Sequence, residues 1–261
     1  MKKHKLSSIE NYTIGALTGL AEVIATNPLF VIKTKIQQNK SWLLGPSSYY
    51  RGVTANALGF MPITAIQVGA NQWIQSTIFN QPTSNLEKMA SAFSAGVISS
   101  GLSCPVEKIM TLQNDQPSTK ISTLLKGNIK KNLFTGQLAT ALREGGFSIF
   151  FLAAPPIIKD KLKNYDLNET SSSLIAAVSS GISASLLTQP FDTIKTAQQS
   201  STHPLSFFNT AKNLGYKGLF KGLVARSSSV IISITLMDWV KTHLENWCIE
   251  HHDAAVISKI K

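Results

Sequence analysis

One short sequence frame, used three times, constrains this chain of 261 residues more than any other feature. A proline interrupts a long run of apolar and small residues at Pro28, Pro105 and Pro190, and charged residues follow each proline. The prolines stand 77 and 85 residues apart, which predicts a tandem repeat with a unit of about 80 residues. A single match to this frame is weak evidence, whereas three matches in register indicate one ancestral unit.

Each unit has the pattern of two long helices joined by a polar segment. We assign the units to residues 1–82, 83–168 and 169–261, the last with a C-terminal tail. The first helix of each unit contains the proline. The second helix follows a glycine mark at Gly52, Gly136 or Gly222 and is predicted over residues 53–77, 137–162 and 223–247. About 20 mainly apolar residues span a bilayer, so each helix is long enough, although none is uniformly apolar.

Small residues stand four apart at equal distances before the three prolines. Such pairs let another helix approach closely inside a membrane. A proline inside a helix costs about 3 kcal/mol, so three prolines in register predict kinks that line a cavity. A water-soluble α-helical repeat scaffold is the alternative of another class. The small pairs are Gly15 with Gly19, Ala92 with Gly96, and Ala177 with Gly181.

The composition favours a membrane protein. Charged residues make up 15% of the chain, against about 25% in soluble domains. The mean hydropathy of +0.07 fits helices that face lipid on one side and water on the other. The net charge of +11 suggests anionic lipid, an anionic solute or nucleic acid as partner. The bases are spread over loop ends rather than collected in one stripe, so we expect no nucleic-acid partner.

The sequence gives little indication of a catalytic site or of a site that binds a metal or a cofactor. Cys104 and Cys248 lie far apart and lack the spacing of a zinc site or a disulfide framework. Cys104 precedes Pro105 in a run of small residues, where packing explains it. We therefore expect no enzyme, no metal and no cofactor.

The repeated frame resembles the signature of the mitochondrial carrier family, and the resemblance covers essentially the whole chain. The signature Pro-x-acid-x-x-base is complete only at Pro190, Asp192 and Lys195. The resemblance implies an all-α fold: a membrane barrel of six helices built from three two-helix repeats with pseudo-threefold symmetry. It also implies transport by alternating access and a multi-pass place in the mitochondrial inner membrane. The sequence is also compatible with a microbially encoded protein that acts in host mitochondria.

The family's pairing rule, carried onto this chain, implies a gate on the matrix side. Glu107 would pair with Lys195, and Asp192 would pair with Lys33. The third position holds two apolar residues, Phe30 and Met110, instead of an ion pair. Our hypothesis is that two ionic links and one apolar contact close this side, because sulfur–aromatic contacts are mildly favourable.

The resemblance implies a weaker gate on the cytosolic side. In the third unit, Asp238 and Lys241 keep the acid and base of the family's motif. We expect no full ion pair between helices here, and a substrate-free state that rests open to the cytosolic side. The corresponding positions of the first two units hold Gln72, Gln75, Pro156 and Lys159.

Ionisable residues at membrane depth are functional candidates by default. Glu22 lies in the first helix, and Arg143 and Glu144 lie in the fourth. In the mitochondrial carrier family, which this chain resembles, members with an Arg–acid pair at the second substrate-contact position often carry amino acids or related compounds. Arginine can bind a carboxylate through two hydrogen bonds, and the acids can accept an ammonium group.

The other contact positions implied by the resemblance are less polar. Gly59 is the first, which leaves room for a bulky group, and Gln67 could face the cavity nearby. Counting from Gly222 gives Ser229 as the third contact, whereas counting back from Asp238 gives Arg226, which we prefer.

The solute predicted from these residues is a small anionic or zwitterionic metabolite, with an amino-acid-like compound favoured. A nucleotide of the ATP/ADP type is the alternative, because residues 54–56 look like those of ADP/ATP carriers. Lysines in the loops could also contact anionic lipid such as cardiolipin. We expect a monomer. The loop lysines concerned are Lys40, Lys120, Lys126, Lys130, Lys131, Lys212 and Lys217.

Overall fold

The protein is described here by a computed structural model, and its regular structure is helical throughout the described residues. These are residues 6–37, 49–50, 53–81, 84–115, 133–165, 167–201, 205–220 and 222–260. A π-helical turn at Ile149–Ala153 joins two of the helices into one rod. The described α-helices are α1 (Ser8–Gln37), α2 (Val53–Thr77), α3 (Asn85–Asp115), α4 (Gln137–Ser148), α5 (Ala154–Leu162), α6 (Glu169–Ser200), α7 (Phe207–Leu219) and α8 (Leu223–Ile260).

Local sequence sets where the first helix of each unit begins. Before α1, Ser7 Oγ accepts the N–H of Glu10 while Glu10 Oε2 accepts the N–H of Ser7. The same reciprocal box forms before α3, from Ser84 and Glu87. Before α6, Asn168 Oδ1 accepts the N–H of Ser171 at 2.7 Å. Each cap satisfies backbone N–H groups that have no partner inside the helix.

The glycine marks predicted before the second helices have a conformational reason. Gly136 and Gly222 both have a φ of 81°, in the left-handed region that side chains disfavour. Each lies directly before the first residue of its helix, α4 or α8. The turn into the second helix therefore requires glycine at these two positions.

The small-residue pairs pack the first helix of each unit against the second. A Cβ atom on Gly15 would lie 2.8 Å from the Cα atom of Ala65 in α2. A Cβ on Gly181 of α6 would lie 2.7 Å from the Cα of Ile231 in α8. In the second unit, Gly96 of α3 packs against the backbone of Glu144 in α4. Each unit is therefore a tight helical hairpin.

Three hairpins close into a ring. Each rod contacts the next one along the chain, with α4 and α5 counted as one rod, and α8 contacts α1. The three prolines lie inside α1, α3 and α6, as the repeat predicts. The observed architecture is the predicted all-α barrel of six rods, and α7 is a short connecting helix before the last rod.

One predicted boundary is wrong. The last helix was expected to end near Trp247, but α8 continues to Ile260. Polar residues after Trp247 do not end the helix, because charged side chains leave its backbone hydrogen bonds intact.

Three of the described helical segments are long and apolar enough to cross a membrane: Asn85–Ile109, Gln137–Tyr165 and Glu169–Gln199. In α2, polar residues such as Thr64, Gln67 and Asn71 are buried within the protein. They lower the mean hydropathy of the helix without exposing polar groups to lipid. This is why hydropathy identifies only some of the six predicted membrane-spanning helices, as the sequence suggested.

Candidate functional site

Side chains from all six rods meet at one place in the ring, and we call this group the central polar cluster. Because the rods surround an axis, side chains from all of them can meet only near that axis. The charged members are largely buried, which is rare unless they are paired. The cluster comprises Glu22 of α1, Gln67 of α2, Ser103 and Glu107 of α3, Arg143 and Glu144 of α4, Thr188, Gln189, Asp192 and Lys195 of α6, and Arg226 of α8.

Arg143 occupies the centre of the cluster. Its Nη2 atom lies 2.8 Å from Glu107 Oε1 and 2.5 Å from Glu144 Oε1. Its Nε atom lies 3.9 Å from Asp192 Oδ1, too far for a hydrogen bond. One guanidinium group thus links acids of α3 and α4 and lies close to an acid of α6.

Glu107 bridges two cations. While Oε1 accepts from Arg143, Oε2 lies 3.0 Å from Lys195 Nζ. The side chains of Glu107 and Lys195 are each 10% exposed, so water screens this pair weakly. This is the pair between the third and fifth rods that the resemblance implied. The sequence did not predict that Arg143 shares the same carboxylate.

Glu144 is held by neutral groups as well as by Arg143. Gln67 Nε2 donates to Oε2 at 2.9 Å, and Ser103 Oγ donates to Oε1 at 2.7 Å. These donors come from α2 and α3. The carboxylate is therefore fixed from three directions, and Gln67 faces it as expected.

Arg226 reaches the cluster from α8. Its Nη2 donates to Thr188 Oγ1 at 2.8 Å and its Nη1 to Gln189 Oε1 at 3.2 Å. Its Nε lies 3.6 Å from Asp192 Oδ2. Ser229, the alternative third contact, is half-buried farther along α8.

Two other predicted contacts lie at the edge of the cluster. Glu22 lies near Ser233 of α8 and within electrostatic range of Glu144. Gly59 in α2 is half-buried and has no side chain with which to contact a neighbour.

Part of the predicted matrix-side gate lies outside the described side chains. Phe30 and Lys33 belong to α1 and Met110 belongs to α3, but only their backbone is described. The pair of Asp192 with Lys33 and the contact of Phe30 with Met110 therefore stay predictions. The backbone of Gly52 and the loop lysines at 40, 120, 126, 130 and 131 also lie outside the described residues.

Sequence reasoning missed the role of Lys108, which follows Glu107 in the chain. Lys108 is buried, and its Nζ donates to the backbone carbonyl of Gln199, in the last turn of α6. Lysine near a helix C-terminus satisfies carbonyls that have no partner within the helix. The lysine lies outside the register of the signature, which is why a search for that signature passes over it.

At the opposite end of the ring, one prediction is wrong. Lys159 Nζ lies 2.7 Å from Asp238 Oδ2, so an ion pair does join α5 to α8. Lys241 instead pairs with Glu245 on its own helix, at 2.8 Å. The glutamines expected here do not form ion pairs: Gln75 Nε2 donates to Asn71 and Ser91, and Gln72 is half-buried.

A buried apolar cluster lies next to this ion pair and joins the second rods of all three units. Val68 belongs to α2, Phe151 to the π-helical turn, and Met237 to α8. Phe151 and Met237 are 2% and 1% exposed. With Lys159 and Asp238 paired beside them, the rods are joined at this end. This differs from the weak gate and open resting state that the sequence suggested.

Comparisons with known proteins agree with the fold. The sequence profile of the mitochondrial carrier protein family matches residues 167–251. The chain is 26% identical to "Mitochondrial substrate carrier family protein X" of Dictyostelium discoideum, over 87% of this chain and 88% of that protein. It is 27% identical to the mitochondrial 2-oxodicarboxylate carrier 1 of Saccharomyces cerevisiae, over 85% and 87%.

Another similar protein is named for a different solute. The chain is 27% identical to the mitochondrial carnitine carrier of Saccharomyces cerevisiae, over 83% of this chain and 80% of that protein. The relatives thus share an architecture over most of the chain and differ in the compound that their names give.

Proposed function

We propose that this chain is a divergent member of the mitochondrial carrier family and that it carries a small anionic or zwitterionic metabolite, amino-acid-like compounds being favoured, by alternating access. The family is made of transporters of small molecules in the mitochondrial inner membrane, and this supports a multi-pass transporter there. The nature of the solute and the roles of individual residues are the proposal.

The observation that carries the proposal is the position of Arg143 beside Glu144 in a buried cluster. The Nε–H of Arg143 is buried and makes no hydrogen bond with any described residue. A buried donor without a partner is costly, and a ligand oxygen would satisfy it. Guanidinium groups bind carboxylates through two parallel hydrogen bonds, so a solute carboxylate fits here.

The same place offers acceptors for an ammonium group. Glu144 is held by Gln67 and Ser103, so its carboxylate keeps its position when Arg143 turns to a ligand. Glu22 lies within electrostatic range of Glu144. A solute with a carboxylate and an ammonium group on the same carbon, as in an α-amino acid, would match these neighbouring positive and negative groups.

Arg143 also connects the solute to the matrix-side gate. In the structure its Nη2 is occupied by Glu107, which is also the partner of Lys195. A solute carboxylate that takes two donors of Arg143 competes with Glu107 for that group. When Glu107 loses one of its two cations, the ionic link that it makes between α3 and α6 becomes weaker. We propose that solute binding opens the gate in this way, because a ligand shifts an equilibrium only through contacts that differ between the states.

Uptake into liposomes tests the proposed solute class. The full chain, purified and reconstituted, would be offered labelled amino acids, dicarboxylates and nucleotides one at a time. We expect uptake of a compound with both a carboxylate and an ammonium group. Arg143→Gln should lower its uptake about 10- to 100-fold, since a hydrogen bond to a charged group is worth about 1.5–3 kcal/mol.

Two variants control that experiment. Arg143→Lys keeps the charge but loses the fork of donors, so it should retain part of the activity. Lys163→Gln removes an exposed cation distant from the cluster and should leave uptake unchanged. If the reconstituted chain takes up none of these compounds, or if Arg143→Gln transports its solute normally, the proposed site is wrong.

A nucleotide of the ATP/ADP type is the second candidate. Arg226 adds a second buried guanidinium group to the cluster, and Gly59 leaves room for a base. Phosphates bind arginine forks as carboxylates do. Uptake of ATP or ADP, with no uptake of amino acids, would establish this alternative.

We further propose roles for the two ends of the barrel. Glu107, Asp192 and Lys195, with Lys33, Phe30 and Met110, would form the matrix-side gate. Lys159 and Asp238 would form the cytosolic-side gate, with Lys241, Gln72 and Gln75 beside it. The units 1–82, 83–168 and 169–261 would move as three hairpins about the kinks at the prolines.

Anionic lipid is the proposed membrane partner. Lys212 and Lys217 are exposed on the short helix α7, which also exposes Tyr216 and Phe208. A helix with basic and aromatic exposed residues suits a membrane interface with anionic headgroups. Cardiolipin should raise the unfolding temperature of the purified carrier more than a neutral lipid does, and Lys212→Gln with Lys217→Gln should reduce the difference. We propose that the carrier is a monomer, which its mass in detergent, measured by light scattering, would test.

A further inference from the structure

A cavity lies towards the opposite end of the ring from the central polar cluster. It has a volume of about 400 Å³ and opens between the first turns of α6, the middle of α8 and the end of α5. Along α6, the lining residue nearest to the cluster is Ala177. At 1.5 Å per residue, Ala177 lies about 22 Å along the helix from Asp192. The cavity is thus separate from the central polar cluster, although it shares Lys159 and Asp238 with the proposed cytosolic-side gate.

The cavity has the size and the chemical mixture of a small-molecule site. Ligand pockets usually measure about 300–1,000 Å³ and combine aromatic walls with a few polar groups. The wall on α8 carries Trp239, whose side chain is 57% exposed. The ring of His243 lies against this indole, with centroids 4.2 Å apart. An indole has two faces, so the other one remains for a ligand.

His243 presents an acceptor in its neutral form. Its Nδ1 lies 2.8 Å from the backbone carbonyl oxygen of Trp239. A carbonyl oxygen only accepts, so Nδ1 carries the hydrogen and Nε2 keeps its lone pair. The ring therefore adds a hydrogen-bond acceptor to the lining of the cavity.

The charges of the lining favour a cation. Lys159 and Asp238 both line the cavity and neutralise each other. Glu169, at the first turn of α6, also lines it and has no ion pair or hydrogen bond from its carboxylate in the part of the chain that is described. The lining thus has one acid in excess, beside an open aromatic face.

We propose that this cavity binds a small organic ammonium compound, with its cationic group over Trp239 and next to Glu169. The face of an indole attracts ammonium groups, and quaternary ammonium ligands are often recognised in this way. A bound cation also lies beside Asp238 and competes with Lys159 for it. Occupancy would therefore loosen the tie between α5 and α8. This inference goes beyond transport and does not depend on which solute the central cluster carries.

Titration calorimetry on the full chain in detergent tests the proposal, with butylamine and tetramethylammonium as probes and butyrate as the anionic counterpart. We expect saturable binding of at least one cation and none of butyrate. Trp239→Leu and Glu169→Gln should each weaken the binding about fivefold or more. Lys159→Gln should strengthen it several-fold, because Asp238 loses its competing partner.

Trp247→Leu is the matched control, since Trp247 lies on the same helix and is 56% exposed. It should bind the cation as the unaltered chain does. Thermal unfolding of each variant shows whether it is folded, and Glu169→Gln changes only an exposed side chain. The proposal is overturned if neither cation saturates, if butyrate binds equally well, or if Glu169→Gln leaves the affinity unchanged. Uptake through the central site is measured separately, so failure here leaves the transport proposal standing.

Discussion

Glu107 should matter more to stability than Lys195, although the two residues form one ion pair. Glu107→Gln leaves both Arg143 and Lys195 without their shared carboxylate. Removing one partner of a buried pair costs about 3–5 kcal/mol. Lys195→Gln leaves Glu107 still bound to Arg143, so the cost should be nearer the 1–3 kcal/mol of a lost hydrogen bond in a buried site.

A double-mutant cycle isolates the pair itself. The coupling between Glu107→Gln and Lys195→Gln should be about 1–3 kcal/mol. The exposed pair of Asp160 and Lys163 is the control. Its N–O distance is 2.7 Å, shorter than the 3.0 Å of the buried pair, yet its side chains are 59% and 74% exposed. Its coupling should stay below about 1 kcal/mol, because burial rather than distance sets the strength of the interaction.

Thermal unfolding in detergent can be followed through the buried thiol of Cys104, which a fluorescent maleimide reaches only on unfolding. Cys248→Ser, present in every variant, removes the other thiol. For a chain of this size, 1 kcal/mol shifts the unfolding midpoint by about 2–4 °C. Glu107→Gln should therefore lower it by about 6 °C or more. Equal losses for the two single variants, or a coupling no larger than that of the exposed pair, would refute the bridging role of Glu107.

The same network predicts that charge reversal gives poor rescue. In the combined variant Glu107→Lys, Lys195→Glu, an ammonium group at position 107 would face Arg143. A carboxylate at position 195 would stand near Asp192, which now lies 3.7 Å from Lys195. The two swaps together restore one attraction and add two repulsions, so stability should stay below that of the unaltered chain.

Four further substitutions test the packing and the ion pair that position the site. Gly181→Leu should prevent folding, because its Cβ would lie 2.7 Å from the Ile231 backbone. Gly101→Leu is the control: no atom lies within 4 Å of its Cβ, so the variant should unfold at nearly the same temperature as the unaltered chain. Phe151→Ala should cost about 3–5 kcal/mol and let a thiol reagent reach cysteines introduced in the cluster from this end. Asp238→Asn should increase the same labelling by releasing Lys159, and unchanged labelling would contradict its role in closing this end.

Much of the fold could be predicted from the sequence because the information is local. The three prolines, the small pairs and the glycines before the second helices all act over a few residues, within one helix or between the helices of one hairpin. The second helices of the first two units begin where predicted, at Val53 and Gln137. Length and apolar periodicity decide such features without knowledge of the rest of the chain.

The cytosolic-side ion pair shows where counting along the chain failed. The prediction placed Lys159 at a register position of the second unit and found no partner for it. Lys159 and Asp238 both lie at the positions that the repeat assigns to this end, and they pair across the ring. Counting along each unit gives the position of a residue but not the distance between two separate rods.

By itself, the sequence determined that three similar helical hairpins would form, that they would suit a membrane, and that charged residues would face inward at the kinked ends. Only the tertiary structure decided how those charges are shared: Arg143 and Lys195 hold one carboxylate, Lys108 caps a neighbouring helix, and Lys159 pairs across the ring. The reason is one of distance and rotation. Periodicity fixes the face on which a residue lies, whereas an ion pair depends on the rotation and spacing of two separate helices to within about an ångström, which only their packing sets.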